Sequence, residues 1–202
     1  MMNYFLKISF VMFSFTYLNL QAQGSSSEDK YIPDFKELKY RNVGPTRGGR
    51  VTSVCGVNDN QFTFYMGTTG GGLWKSTDAG LNWNNISDGF FKSPSIGAIR
   101  VYQKNPSIIY VGTGSDGIRS NVIVGKGVYK SIDDGKSWSN IGLKNVGQIG
   151  AVETHPDNAD IVYVAAIGQP FQPNVERGLY KSLDGGKAGE NSLFISNEIG
   201  VV

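Results

Sequence analysis

An all-β fold of repeated four-stranded antiparallel meanders, arranged radially as a β-propeller, follows from three features of this sequence. A Ser-x-Asp-x-Gly hairpin recurs three times, 27 glycines punctuate short apolar runs, and the recurrence distance suits one propeller blade.

The hairpin reads Gly72-Leu-Trp-Lys-Ser76-Thr-Asp78-Ala-Gly80-Leu-Asn-Trp83, then Gly127 to Trp138, then Gly178 to Gly189. The motif serines lie 131 − 76 = 55 and 182 − 131 = 51 positions apart. That period is too long for a helical pair and fits four short strands. Upstream of each box lies one predicted strand (Phe62–Gly67, Ile108–Gly112, Ile161–Ala165) and, before it, another (Arg50–Val57, Ile96–Tyr102, Ile149–Thr154). Between the two stand Asn58-Asp59-Asn60, Asn105-Pro106-Ser107 and Pro156-Asp157-Asn158-Ala159, all turn-forming clusters. The predicted blades cover about 48–88, 95–142 and 147–200, within a partial propeller over 41–202.

Each residue type in the box has a physical task. The carboxylates of Asp78, Asp133 and Asp184 accept N–H bonds of their own turn, and Ser76, Ser131 and Ser182 tie the outgoing strand to it. Gly80, Gly135 and Gly186 supply a positive φ. Trp83 and Trp138 pack their rings against the blade. Three equivalent carboxylates at blade period stand far apart around a ring, which disfavours a catalytic or calcium-binding role for them.

Composition narrows the function classes. A net charge of +2 with 18% charged residues provides no field for nucleic acid or an anionic membrane. Cys55 is the only cysteine, so no intrachain disulfide is available, and its strand pattern reads as a small buried hydrophobe. His155 is the only histidine, which excludes a multi-His metal site, and it stands beside a turn signal. No catalytic residue, metal ligand or cofactor is expected.

Residues 1–22 read as a secretory signal: Lys7, the apolar run Ile8 to Leu20, and the small Ala22 at the exit. Residues 23–40 read as a linker. The run is short of the roughly 20 apolar residues of a spanning helix. The expected location is therefore secreted, periplasmic or cell-envelope, with no membrane span after cleavage.

On these residues the chain resembles the Asp-box, or bacterial-neuraminidase-repeat, proteins and, more closely, the sortilin N-terminal-domain-like exported proteins of bacteria. Gly44-Pro-Thr-Arg47-Gly-Gly-Arg50-Val51, Ile96-Gly-Ala-Ile99 and Glu176-Arg-Gly-Leu-Tyr-Lys-Ser182 carry the likeness, which extends over about 38–200. It implies a propeller in a longer chain. The label glycosyl hydrolase is common there, because sialidases and oligoxyloglucan hydrolases share the boxes, but boxes alone do not transfer that chemistry. Two departures stand out: Gly189 occupies the third Trp position, and the sequence stops at Val202, soon after Leu193–Ser196, which reads as the last strand. Three blades fall short of the roughly 4–8 of a closed propeller, so the ring reads as incomplete and further blades are expected.

Loops between second and third strands share one face of a propeller, where ligands usually bind. Here they are Thr68–Gly71, Gly114–Lys126 and Gly168–Arg177. The candidate ligand residues are Asp116, Arg119, Glu176 and Arg177, with Arg47 and Arg50 at the entry to the first blade. Local capping is the competing role for the 176–177 pair. Thr68-Thr-Gly-Gly-Gly72 lacks the Gly-Lys-Ser/Thr ending of a phosphate loop. The leading expectation is a non-catalytic module binding protein, peptide or glycan. The alternatives are the N-terminal part of a sialidase-like or xyloglucanase-like hydrolase, and a truncated product without function.

Overall fold

The computed structural model describes residues 49–117 and 121–202. The expected signal and linker, Arg47 and Arg119 lie outside the described residues. Those described form three four-stranded antiparallel sheets, each pairing its strands in chain order, with no helix among them. The first holds β1 (Val51–Val57), β2 (Asn60–Thr68), β3 (Leu73–Ser76) and β4 (Asn84–Asn85). The second holds β5 (Ile96–Val101), β6 (Ile109–Thr113), β7 (Val128–Ser131) and β8 (Ser139–Gly142). The third holds β9 (Ile149–His155), β10 (Asn158–Ala166), β11 (Gly178–Ser182) and β12 (Glu190–Leu193). These are propeller blades, and β1, β5 and β9 are the strands that lie against one another from blade to blade.

The core lies between blades. One apolar layer joins Tyr65 and Leu73 of the first blade to Ile99, Ile109, Val111, Tyr129 and Trp138 of the second. The other joins Ala98, Tyr110 and Val128 of the second to Ile149, Val152, Val162 and Val164 of the third. Strand β6 shows the consequence: all five of its residues are buried, Ile109 and Val111 toward one neighbour and Tyr110 toward the other. Inner strands approach closely at Gly97, where a Cβ would fall 2.0 Å from the Ile149 carbonyl oxygen.

The structure corrects three predicted boundaries. The first-hairpin turns of blades one and three hold two residues, so Asn60 and Asn158 sit in β2 and β10, opposite Val57 and His155. The last strand is Glu190–Leu193 rather than 193–196. It starts eight positions after its box serine, as β4 and β8 do, with Asn191 opposite Tyr180. Its wholly exposed polar residues hid it from a search for apolar runs. Cys55 is half-buried against the first core layer, and burial pushes its thiol pKa up. His155 ends β9 and accepts the Asp157 N–H at Nδ1.

Candidate functional site

Each box serine and aspartate is engaged within its own hairpin. Ser76 donates to Asp78 Oδ1 at 2.8 Å and accepts the Gly80 N–H at 2.8 Å, while Asp78 accepts both the backbone N–H and the side-chain amide of Asn82. The second box repeats this with Ser131, Asp133, Gly135 and Ser137. The third repeats it with Ser182, Asp184 and Gly186, but Ala188 offers only its backbone N–H. The turn needs two successive left-handed residues: Ala79 (φ 61°) with Gly80, Asp134 (φ 64°) with Gly135, and Gly185 with Gly186. The residue before the box glycine is not marked by the sequence pattern.

These donors stabilise the charged carboxylates. The Ser137 hydroxyl and N–H hold Asp133 down at about 2, and bonds from Asn82 and Ala188 lower Asp78 and Asp184. Carboxylates saturated in this way are weak bases.

The boxes also clasp the preceding blade. Tyr65 donates to Asp134 Oδ1 at 2.6 Å, and Lys75 pairs with the same carboxylate. One junction later, Tyr110 donates to the Ala159 carbonyl at 3.0 Å and Lys130 to the Gly185 carbonyl at 3.2 Å. The lysine stands over the tyrosine ring in each blade: Lys75 over Tyr65, Lys130 over Tyr110, Lys181 over Tyr163.

On the loop face the predicted candidates separate. Arg177 is turned inward and 6% exposed, its guanidinium donating to the carbonyls of Ile167, Gln169 and Gln172. It holds the 168–177 loop in shape, so the capping role describes its contacts. Glu176 accepts the Tyr180 hydroxyl at its carbonyl and donates its N–H to Asn174. Asp116 is half-buried in the second loop, which is closed by mutual bonds between Ser115 and Ile123. Arg50 is exposed, and its carbonyl accepts the Thr69 N–H.

Two features of this face were missed. First, the long loops of blades two and three meet at a groove of about 220 Å³, formed by Val122, Val124, Gln169, Pro170, Phe171 and Gln172. Phe171 is 74% exposed, a large apolar ring beside two amides. The isolated apolar letters in Gly/Pro-rich stretches gave the only sequence hint. Second, Gln148 heads β9 as Ser95 heads β5, their carbonyls accepting N–H groups of Ile167 and Gly114. Gln148 is wholly buried and neither its Oε1 nor its Nε2 has a hydrogen-bond partner in the protein. A buried amide in that state costs about 1–3 kcal/mol. Nothing in the sequence marks it, because the equivalence emerges only from strand register. Among the described residues, no group of three or more His, Cys, Asp or Glu is placed to hold a metal ion.

No family model and no curated protein matches the chain. Solved structures do. An ancestral GH74 enzyme superposes with a TM-score of 0.63 at 20% identity, over 80% of this chain and 20% of that one. The GH74 enzyme of Niastella koreensis gives 0.54 at 24% identity, over 69% of this chain and 21% of that one. YCF48 bound to D1 peptide gives 0.53 at 13% identity, over 80% and 47%. At these identities the likeness establishes the propeller fold alone. The chain spans about a fifth of the length of the GH74 enzymes it matches.

Proposed function

We propose that this chain is a stretch of an exported Asp-box β-propeller, of the sortilin N-terminal-domain-like kind, whose loop face binds a protein, peptide or glycan and carries out no reaction within this stretch. The groove between the two long loops carries the reading. An exposed phenyl ring flanked by Gln169 and Gln172 suits stacking against a sugar or an apolar peptide side chain, with amides for its polar groups. The motifs at Gly44–Val51 and Glu176–Ser182, the signal-like residues 1–22, and the Ser–Asp–Gly hairpins support the assignment. Exposed apolar side chains that strand alternation places on the sheet faces away from the second blade, Val54 and Phe64 on the first blade and Leu193 on the third, suit continuation into further blades. YCF48, of similar fold, was solved with a peptide bound.

The likeness to GH74 enzymes favours a second reading, in which this is the N-terminal part of a glycoside hydrolase whose acid and base stand in other blades. One experiment separates them. The complete protein encoded by the reading frame that carries these 202 residues is assayed on xyloglucan and sialosides, and the retention of the 202-residue chain on immobilised xyloglucan oligosaccharides and a peptide array is measured. Expected are no release of reducing sugar, and retention on one surface that falls about tenfold in Phe171→Ala. Hydrolysis of either substrate would overturn the proposal in favour of the second reading, and its loss in Asp116→Asn or Glu176→Gln would further place the chemistry within this stretch.

A further inference from the structure

The third box lacks its tryptophan, and the space that ring would occupy is a defined cleft. At the first junction, Trp138 of the second box is 9% exposed and reaches back over the preceding blade. Its indole N–H donates to the Ile86 carbonyl at 2.8 Å, and its ring stands edge-on to Phe91. The same apolar layer includes Leu73, Ile86, Ile109, Val111 and Tyr129.

Counting from the box serines (76, 131, 182) places the counterparts at the second junction. Leu73 and Ile86 correspond to Val128 and Ile141, and Tyr129 to Tyr180. Strand pairing equates Ile109 and Val111, opposite Ser131 and Tyr129, with Val162 and Val164, opposite Ser182 and Tyr180. Trp138 corresponds to Gly189. A cleft of about 230 Å³ lies at that junction, and its lining includes Val128, Ile141, Val162, Val164, Tyr180 and Gly189. The five residues that match the surroundings of an indole thus surround an open space instead. Gly186 abuts Ile141 there as Gly135 abuts Ile86, so the backbone of the slot is kept.

We infer that this cleft is a binding site for an indole-sized planar aromatic ring carrying an N–H donor, seated as Trp138 is seated one junction earlier, with the Ile141 carbonyl as acceptor. The volume suffices, since an engineered apolar cavity of about 150 Å³ already binds benzene. The inference is independent of the loop-face function, because the cleft lies between the box and the preceding blade.

The test titrates free indole into the 202-residue chain and follows its methyl groups by NMR. Saturable shifts at Ile141, Val162 and Val164, with intermolecular NOEs to the ring, are expected, at a Kd on the order of 0.1–1 mM. Gly189→Trp is expected to abolish them and raise Tm by about 2–6 °C, as a side chain filling its own slot would. A Cβ meets nothing nearer than 3.9 Å at position 189, so the substitution has room. Gly189→Ala retains binding, and 1-methylindole, lacking the donor, binds several-fold more weakly. The wild-type titration decides alone if the tryptophan variant does not fold: absence of saturable shifts at those methyls, or NOEs to other residues, refutes the site. Equal binding by Gly189→Trp, or equal affinity for 1-methylindole, also counts against it.

Discussion

The junction between blades one and two and the junction between blades two and three use the same strands, the same serine–aspartate–glycine hairpin and the same tyrosine–lysine pair. They are fastened differently. In the first, Asp134 takes the Tyr65 hydroxyl and the Lys75 ammonium while Trp138 fills the apolar slot. In the second, Gly185 presents only its carbonyl to Lys130, and Gly189 leaves the slot open. The box serine, aspartate and glycine, whose contacts close the hairpin itself, are alike in all three copies. Those whose contacts cross to the neighbouring blade vary. The repeat therefore secures each blade locally, and the strength of each junction is set separately.

The largest expected effect comes from removing the one indole that spans a junction. Trp138→Ala deletes a buried ring and the bond to the Ile86 carbonyl, and should cost about 3–5 kcal/mol in denaturant unfolding. Trp83 is half-exposed and gives its N–H to Gly80 of its own hairpin, so Trp83→Ala should cost about 1–2 kcal/mol. Similar losses for both would mean that the indole acts within the hairpin and that the junction comparison is mistaken.

The same contrast explains what was legible in the sequence. Blade order, strand number and the hairpins were readable because serine, aspartate and glycine act on backbone within a few positions of themselves. Strand β12 was misplaced because an exposed polar edge strand carries no apolar alternation, and Glu190-Asn191-Ser192 looks like loop. The loop-face candidates came from charge, yet Arg177 bonds to carbonyls of its own loop, which a sequence does not reveal. Phe171 and Gln148 went unmarked because residues of another blade help to surround them, Val122 and Val124 beside the first and Gly114 beside the second. The absent tryptophan was plain at Gly189, whereas the cleft required knowing which five side chains face it.

Converting the first clasp into the second should have a moderate effect. Asp134→Gly leaves the buried Tyr65 hydroxyl and the Lys75 ammonium without that carboxylate. The Asp134 side chain is 43% exposed, so solvent screens the pair, and glycine relieves a positive φ. A net loss of about 0.5–1.5 kcal/mol is expected. A double-mutant cycle with Lys75→Met should return a coupling of about 0.5–1 kcal/mol. Zero coupling would reduce the clasp to a proximity without energetic weight.

The smallest effect tests the hairpins themselves. Asp133 titrates at about 2 because Ser137 donates from both its hydroxyl and its N–H, while the third box has only the Ala188 N–H in that place. A carboxyl whose pKa is lower folded than unfolded contributes stability above the unfolded value, and that stability is lost as pH falls through the folded one. Asp78, Asp133 and Asp184 are all lowered, so stability should be level above about pH 5 and decline between about pH 4 and 2. Ser137→Ala removes the hydroxyl and makes the second box resemble the third. The Asp133 carboxyl carbon, followed by NMR, should then titrate at a higher pH, nearer the ordinary aspartate range. An unmoved midpoint would assign the low pKa to the backbone N–H and the Ser131 hydroxyl, and erase this difference between the two boxes.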